Sequence, residues 1–187
     1  MPESLNSTEK TKSRRTTSEH LLMITLLAVL TAMEIVLSRF LSINTWNLKI
    51  GFSFVPIVVA AMLYGPLGGA CVAGMGDFLG ANLFPIGAYF PGYTVTAVLT
   101  GLVFGLLLYK KQTPIRAGLS VAINQLIFSL LLNTFWIFLT NMSSDNSRPY
   151  FTILGTRLLQ CAILIPVQIA TILLIAPAIK RIKQMFA

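Results

Sequence analysis

Apolar residues arrive along this chain in long runs rather than in alternation, and short polar stretches separate the runs. Leu21–Leu41 is long enough to cross a ~30 Å hydrocarbon layer as a helix, which takes about 20 residues. Further runs follow at Phe52–Tyr64, interrupted by Pro56, and at Leu67–Leu83, Gly92–Tyr109, Ile115–Thr140 and Tyr150–Ile179. The breaks between them are Ser42–Gly51, Gly65–Pro66, an external loop over Asn82–Pro91, Lys110–Lys111 and Asn141–Pro149. The second run is short for a full crossing, so the preceding loop or neighbouring helices must complete it. The third carries Gly68, Gly69, Gly74, Gly76 and Gly80, which suits close helix packing in lipid. This pattern predicts an all-α integral membrane protein, a bundle of six transmembrane helices occupying residues 19–187. Residues 1–18 are polar, without an apolar period, and are expected to form a disordered cytoplasmic tail.

Composition agrees with that class. The 187 residues are 55% hydrophobic and 11% charged, with a mean hydropathy of +0.77, leaving little soluble mass and no second domain. The net charge of +8 reads as topology, not as a nucleic-acid footprint, because the basic residues sit at the ends of apolar runs and share no face. Lys10, Lys12, Arg14, Arg15, Lys110, Lys111, Arg116, Lys180, Arg181 and Lys183 fall on one side of a six-span arrangement. By the positive-inside rule that side is the cytoplasm, and both termini lie there. Cys71 and Cys161 lie within apolar runs without metal-ligand spacing and read as packing residues. His20 is alone. The first run lacks a cleavage pattern and is expected to stay in the mature protein.

Four basic residues, Arg39, Lys49, Arg148 and Arg157, fall on the external side, where the loops offer only Asp145 against them. Arg157 lies well inside an apolar run, where an arginine costs ~2.5–3.5 kcal/mol at the helix centre and needs a cavity or a partner. On a helical wheel Arg157 shares a stripe with Gln160, Leu164, Gln168 and Thr171, and Gln125, Ser129, Asn133, Trp136 and Thr140 form another. Such stripes must face each other or a shared cavity. Interhelical hydrogen bonding accounts for Gln125, Gln168 and Thr171. Asn133, Trp136 and Arg157 read as ligand contacts because Trp46, Phe84, Tyr89, Tyr93, Arg39 and Lys49 stand at the same level, a lining suited to a flat ring system bearing carboxylates. Interfacial belts also use Trp and Tyr. Asp77 could pair with an arginine, cap a broken helix or accept a ligand N–H. Glu34 lies opposite Ala28 and Ala32 with no assigned partner. On the first helix, Thr25, Ala28, Ala32, Ile35 and Arg39 share a face, and Ala28-x-x-x-Ala32 is a small-residue pair that admits another helix closely.

The sequence holds no GxxxxGK[ST] loop, HExxH motif, nucleophile elbow or metal cluster, so no enzyme and no cofactor is indicated. Any uphill movement must draw energy from a partner or an ion gradient. The segments Ile43–Gly69, Gly74–Ala97 and Leu131–Ile137 resemble the folate-specific substrate-binding (S) components of energy-coupling factor (ECF) vitamin transporters. Tyr64 through Gly80 marks the wider superfamily, and Trp46, Lys49 and the Phe90-Pro91-Gly92-Tyr93 context point to folate. The resemblance implies a six-helix S component in the bacterial plasma membrane, with an outward-opening pocket for folate or a related pterin-glutamate. It further implies that helices one to three, with Ala28 and Ala32, dock on a transmembrane coupling subunit driven by two cytoplasmic ATPases, and that the loaded component topples in the lipid to release vitamin inside. The same fold with another vitamin, or a scaffold subunit without a ligand, are the competing expectations.

Overall fold

A computed structural model describes the backbone of residues 3–44, 49–85, 89–110, 112–141 and 150–186. Its elements are α1 (Glu3–Arg39), a two-residue antiparallel ladder of β1 (Ile43–Asn44) and β2 (Lys49–Ile50), α2 (Phe54–Leu83), α3 (Pro91–Leu108), α4 (Pro114–Ile123), a π-helix (Asn124–Leu132), α5 (Asn133–Asn141) and α6 (Tyr150–Phe186). Ile43 pairs with Ile50 and Asn44 with Lys49. Five stretches are long and apolar enough to cross a membrane: His20–Arg39, Phe54–Leu83, Pro91–Leu108, Pro114–Thr140 and Arg157–Gln184. The protein is thus an almost entirely helical, multi-pass membrane protein.

Helix α1 begins ahead of the apolar run, at Glu3, and no Gly or Pro interrupts residues 3–39. The second and third runs also join as α2, but that helix is broken at Gly65, whose backbone has φ 80° and ψ −164°. A Cβ at Gly69 would fall 2.8 Å from the Ala61 Cβ, and one at Gly68 would fall 3.2 Å from the Ala60 carbonyl. Residues eight apart in a straight helix are separated by about 12 Å. The arms on either side of Gly65 therefore fold back on one another. Pro66, with its fixed φ and missing N–H, suits the first position of the second arm.

The second arm of α2 packs most intimately on α3. A Cβ on Gly105 would overlap Pro66, and one on Gly101 would overlap the Gly69 carbonyl. Lipid supplies no hydrophobic force between helices, so this backbone-to-backbone approach is what small residues provide. Around the same end of the bundle lie Val58, Met62, Val72, Phe104, Leu108, Val121 and Ile172, all essentially buried. Large apolar residues such as Leu67, Leu106, Ile115 and Leu174 point outward, as lipid-facing positions should. On α1, Leu30, Thr31, Glu34 and Ser38 are buried while Thr25, Ala28 and Ala32 are exposed. The alanine face is therefore uncovered in the isolated chain.

Gly65 occupies a backbone region that only glycine adopts readily, so Gly65→Ala is expected to lower stability by about 1–3 kcal/mol. Gly118→Ala, where an added Cβ meets nothing within 4 Å, is expected to be neutral or stabilising by up to about 1 kcal/mol. Thermal unfolding of the two variants in detergent checks the contrast.

Candidate functional site

The half of the bundle away from Gly65 is hollow. A cavity of about 630 Å³ is walled by one stripe from each surrounding helix. From α2 come Ala73, Asp77 and Ala81; from α3, Tyr93, Thr96, Ala97 and Thr100; from α6, Arg157, Gln160, Leu164 and Gln168. The π-helix and the start of α5 contribute Gln125, Ser129 and Asn133, while α1 contributes Glu34 and Arg39. On α2, on α6, and on the π-helix with the start of α5, successive members are three or four residues apart, so each of those sets lies on one helical face. Small side chains on α2 flank its single acid, which keeps that wall open.

Asp77 is held by a relay. The Thr94 hydroxyl donates to Asp77 Oδ2 at 2.8 Å, and the Tyr89 hydroxyl lies 3.0 Å from Thr94 Oγ1. Tyr89, just ahead of α3, is thereby tied to the second arm of α2. Across the cavity, Arg157 is 8% exposed and donates through Nη1 to the Ser129 carbonyl at 2.7 Å. That carbonyl belongs to the π-helix, whose hydrogen bonds span five residues rather than four, a departure found disproportionately at functional sites. Arg39, at the last turn of α1, reaches over the second arm of α2. A Cβ on Gly80 would come within 3.0 Å of its Nε. Glu34 lies one turn deeper against Gly76, where any side chain on Gly76 would overlap its carboxyl group. Asn133 Oδ1 and Gln168 Oε1 are buried without a hydrogen-bond partner among the described residues. Leaving such atoms unpaired costs about 1–3 kcal/mol each. A polar ligand recovers that cost.

Of the residues expected to line a pocket, Arg39, Asp77, Tyr89, Tyr93, Asn133 and Arg157 are on the cavity wall. Trp136 stands behind it: its ring is 5.4 Å from that of Phe90, and its Nε1 donates to Thr96 Oγ1 at 3.1 Å. Both Phe90 and Thr96 face the cavity, so Trp136 supports the wall without forming it. Phe84 is 44% exposed and packs edge-on against Phe40 at 5.1 Å, away from the cavity. With α2 ending at Leu83, its ring follows the departing chain. Trp46 and the side chain of Lys49 fall outside the described residues, as do Asp145 and Arg148. Sequence reasoning assigned Gln125 and Gln168 to interhelical hydrogen bonding; both line the cavity together with Glu34, Phe90, Thr96 and Gln160. The shared stripe with Arg157 was the available signal for Gln168. Nothing in the linear pattern pairs Glu34 with Gly76.

Residues 22–176 match the family model for the substrate-specific component of ECF transporters, and the chain belongs to that family. Within it, the chain is 35% identical over 142 residues to the folate transporter FolT of Clostridium novyi (strain NT), covering 75% of this chain and 80% of that protein. It is 32% identical over 146 residues to FolT of Leuconostoc mesenteroides subsp. mesenteroides, covering 77% and 78%. A crystal structure of FolT bound with folic acid aligns with a TM-score of 0.72 at 34% identity, over 79% of this chain and 87% of that one. These relatives are transport components, and their family is the one implied by the segments around Trp46, Asp77 and Asn133.

Thr94→Val removes the hydrogen bond to a carboxyl and the partner of Tyr89 together. It is expected to cost about 1.5–3 kcal/mol, read as a lowered unfolding midpoint, whereas Thr25→Val on the exposed face of α1 is expected to change it little.

Proposed function

We propose that this chain is the folate-binding S component of an ECF transporter in the cell membrane. The observation that carries the reading is the 34% identity, at a TM-score of 0.72, to a FolT bound with folic acid over 79% of the chain. The cavity supports it chemically. Tyr89, Phe90 and Tyr93 offer aromatic surface for a flat heterocycle, with Phe90 and Tyr93 set edge to face at 6.0 Å. Asn133 and Asp77 offer hydrogen-bonding groups on opposite walls. Trp46 adds to the aromatic lining, while Arg39, Lys49 and Arg157 receive the benzoylglutamate end. Charge-assisted bonds from guanidinium to carboxylate are roughly twice as strong as neutral ones.

The reversal at Gly65 supports six spans, α2 supplying two of them, and the cluster of basic residues at one level supports cytoplasmic termini. The first three spans, with Ala28 and Ala32 exposed in the isolated chain, dock on a transmembrane coupling subunit. Two ATPase subunits supply the energy, since this sequence contains no phosphate-binding loop. Toppling of the loaded component then delivers the vitamin inside. Folate is the ligand and the chain carries no cofactor of its own.

Titration of the detergent-purified chain, followed by tryptophan fluorescence and calorimetric heat, is expected to show saturable folate binding at one site and none for thiamine or riboflavin. A folded sample that ignores folate would refute the assignment. Arg157→Gln is expected to weaken folate by at least ~10-fold, as loss of a charged hydrogen bond implies, and to spare a pterin lacking the glutamate. Ala28→Leu and Ala32→Leu are expected to preserve binding by the isolated chain and to depress uptake in cells that contain the coupling module, because bulk at a small-residue contact blocks helix approach.

A further inference from the structure

The closed end of the bundle carries a cluster of positive charge on helices that contain no acid. Lys110 follows the end of α3, Arg116 lies in the first turn of α4, and Lys180, Arg181 and Lys183 lie near the end of α6. The fold brings these three elements together. Lys183 Nζ donates to the Tyr109 carbonyl at 3.2 Å and stands 3.9 Å from the centre of the Tyr109 ring, a cation over an aromatic face. The end of α6 is thereby fastened to the end of α3, and α4 packs against both helices. The Tyr109 ring in turn covers the chain reversal, 3.5 Å from where a Cβ on Gly65 would lie. The cations are thus mounted on the tightly packed half. Residues 78–144 and 146–187 contain no Asp or Glu, while Glu34 and Asp77 line the cavity in the other half. Lys110, Lys180 and Arg181 are exposed, and Arg116 and Lys183 are half-buried.

Beside the cations, the outward-facing side chains are apolar. Ile115, next to Arg116, is 82% exposed; Leu174, about 9 Å inward of Lys180, is 78% exposed; and Leu106, one turn inward of Lys110, is 66% exposed. We infer that the ends of α3, α4 and α6 form a binding site for the headgroup of an anionic phospholipid in the cytoplasmic leaflet, this end being the cytoplasmic one in the topology proposed above. A phosphodiester accepts charge-assisted hydrogen bonds from ammonium and guanidinium groups, and basic sites between helices at that face of a membrane hold anionic headgroups. A lipid whose phosphate sits on these cations lays its acyl chains along the adjoining apolar surface. A soluble anion gains nothing from that second surface. The site uses α3, α4 and α6, whereas Ala28 and Ala32 are on α1, which packs on α2. The lipid therefore leaves the alanine face open, and the inference does not depend on which vitamin the cavity takes.

The test delipidates the purified full-length chain in detergent and follows lipid binding by native mass spectrometry, with phosphatidylglycerol and phosphatidylcholine of the same acyl chains. Each basic residue near the headgroup contributes about fivefold in affinity, so phosphatidylglycerol is expected to bind at least ~10-fold more tightly than phosphatidylcholine. The combined Lys110→Gln, Lys180→Gln and Arg181→Gln variant is expected to lose most of that preference. Arg148→Gln is expected to keep it, because exposed charges separated by more than about 10 Å are largely screened at 0.1 M salt. Glycerol phosphate, the headgroup without chains, is expected not to displace the lipid; displacement at equal concentration makes the site one for a free phosphate ester and overturns the lipid assignment. Equal binding of the two lipids by the wild-type chain overturns it as well, and capture of that same chain by poly-glutamate would then assign the face to an acidic protein segment. A preference that survives the triple variant, or that vanishes only when Lys10, Lys12, Arg14 and Arg15 are replaced by Gln, places the headgroup elsewhere and also refutes the inference. If the triple variant shows no unfolding transition, Lys180→Gln alone and the wild-type comparison decide by the same criteria.

Discussion

Hydrocarbon offers no hydrogen bonds, so a polar side chain on a membrane-spanning helix must turn toward the interior of the bundle or toward water. The organisation of this protein follows from that constraint. The stripes on α3, on the π-helix with α5, and on α6 all turn inward and meet in one cavity. Facing them, α2 presents Ala73 and Ala81 around Asp77, so the polar walls are held apart instead of collapsing into interhelical hydrogen bonds. The space that remains is polar, buried and shaped.

A hollow half needs a closed half. Around Gly65 the two arms of α2 and the end of α3 approach backbone to backbone, and apolar side chains of α2, α3, α4 and α6 fill the remaining volume. The glycines concentrate contact where lipid could otherwise replace it. At the open half, hydrogen bonds take over from packing. Tyr89, Thr94 and Asp77 tie the start of α3 to α2, and Arg157 ties α6 to the π-helix. The stiff end thus anchors an end whose walls are joined by a few polar links. α1 serves both halves: it brings Glu34 and Arg39 to the cavity, and Ala28 and Ala32 are exposed on the face opposite Glu34.

Membrane character, the positions of the apolar runs and the inward direction of the polar stripes were all legible in the linear pattern, because hydrophobic length and the 3.6-residue period act within a single helix. The period placed Arg157, Gln160, Leu164 and Gln168 on one face, and placed Ala28 and Ala32 on the face of the first helix opposite Glu34. Six residues proposed for the pocket, Arg39, Asp77, Tyr89, Tyr93, Asn133 and Arg157, line the cavity. What lay beyond reach depends on how helices are juxtaposed. Trp136 and Phe84 have the right chemistry at the right level, yet one stands behind Phe90 and the other against Phe40. Glu34 enters the cavity wall because Gly76, distant in sequence, has no side chain to exclude it. The direction of a stripe is a property of one helix and is written in its spacing. Which atom of that stripe meets the open space is set by the neighbour's backbone and by the absence of a side chain there, and only the packed bundle decides it.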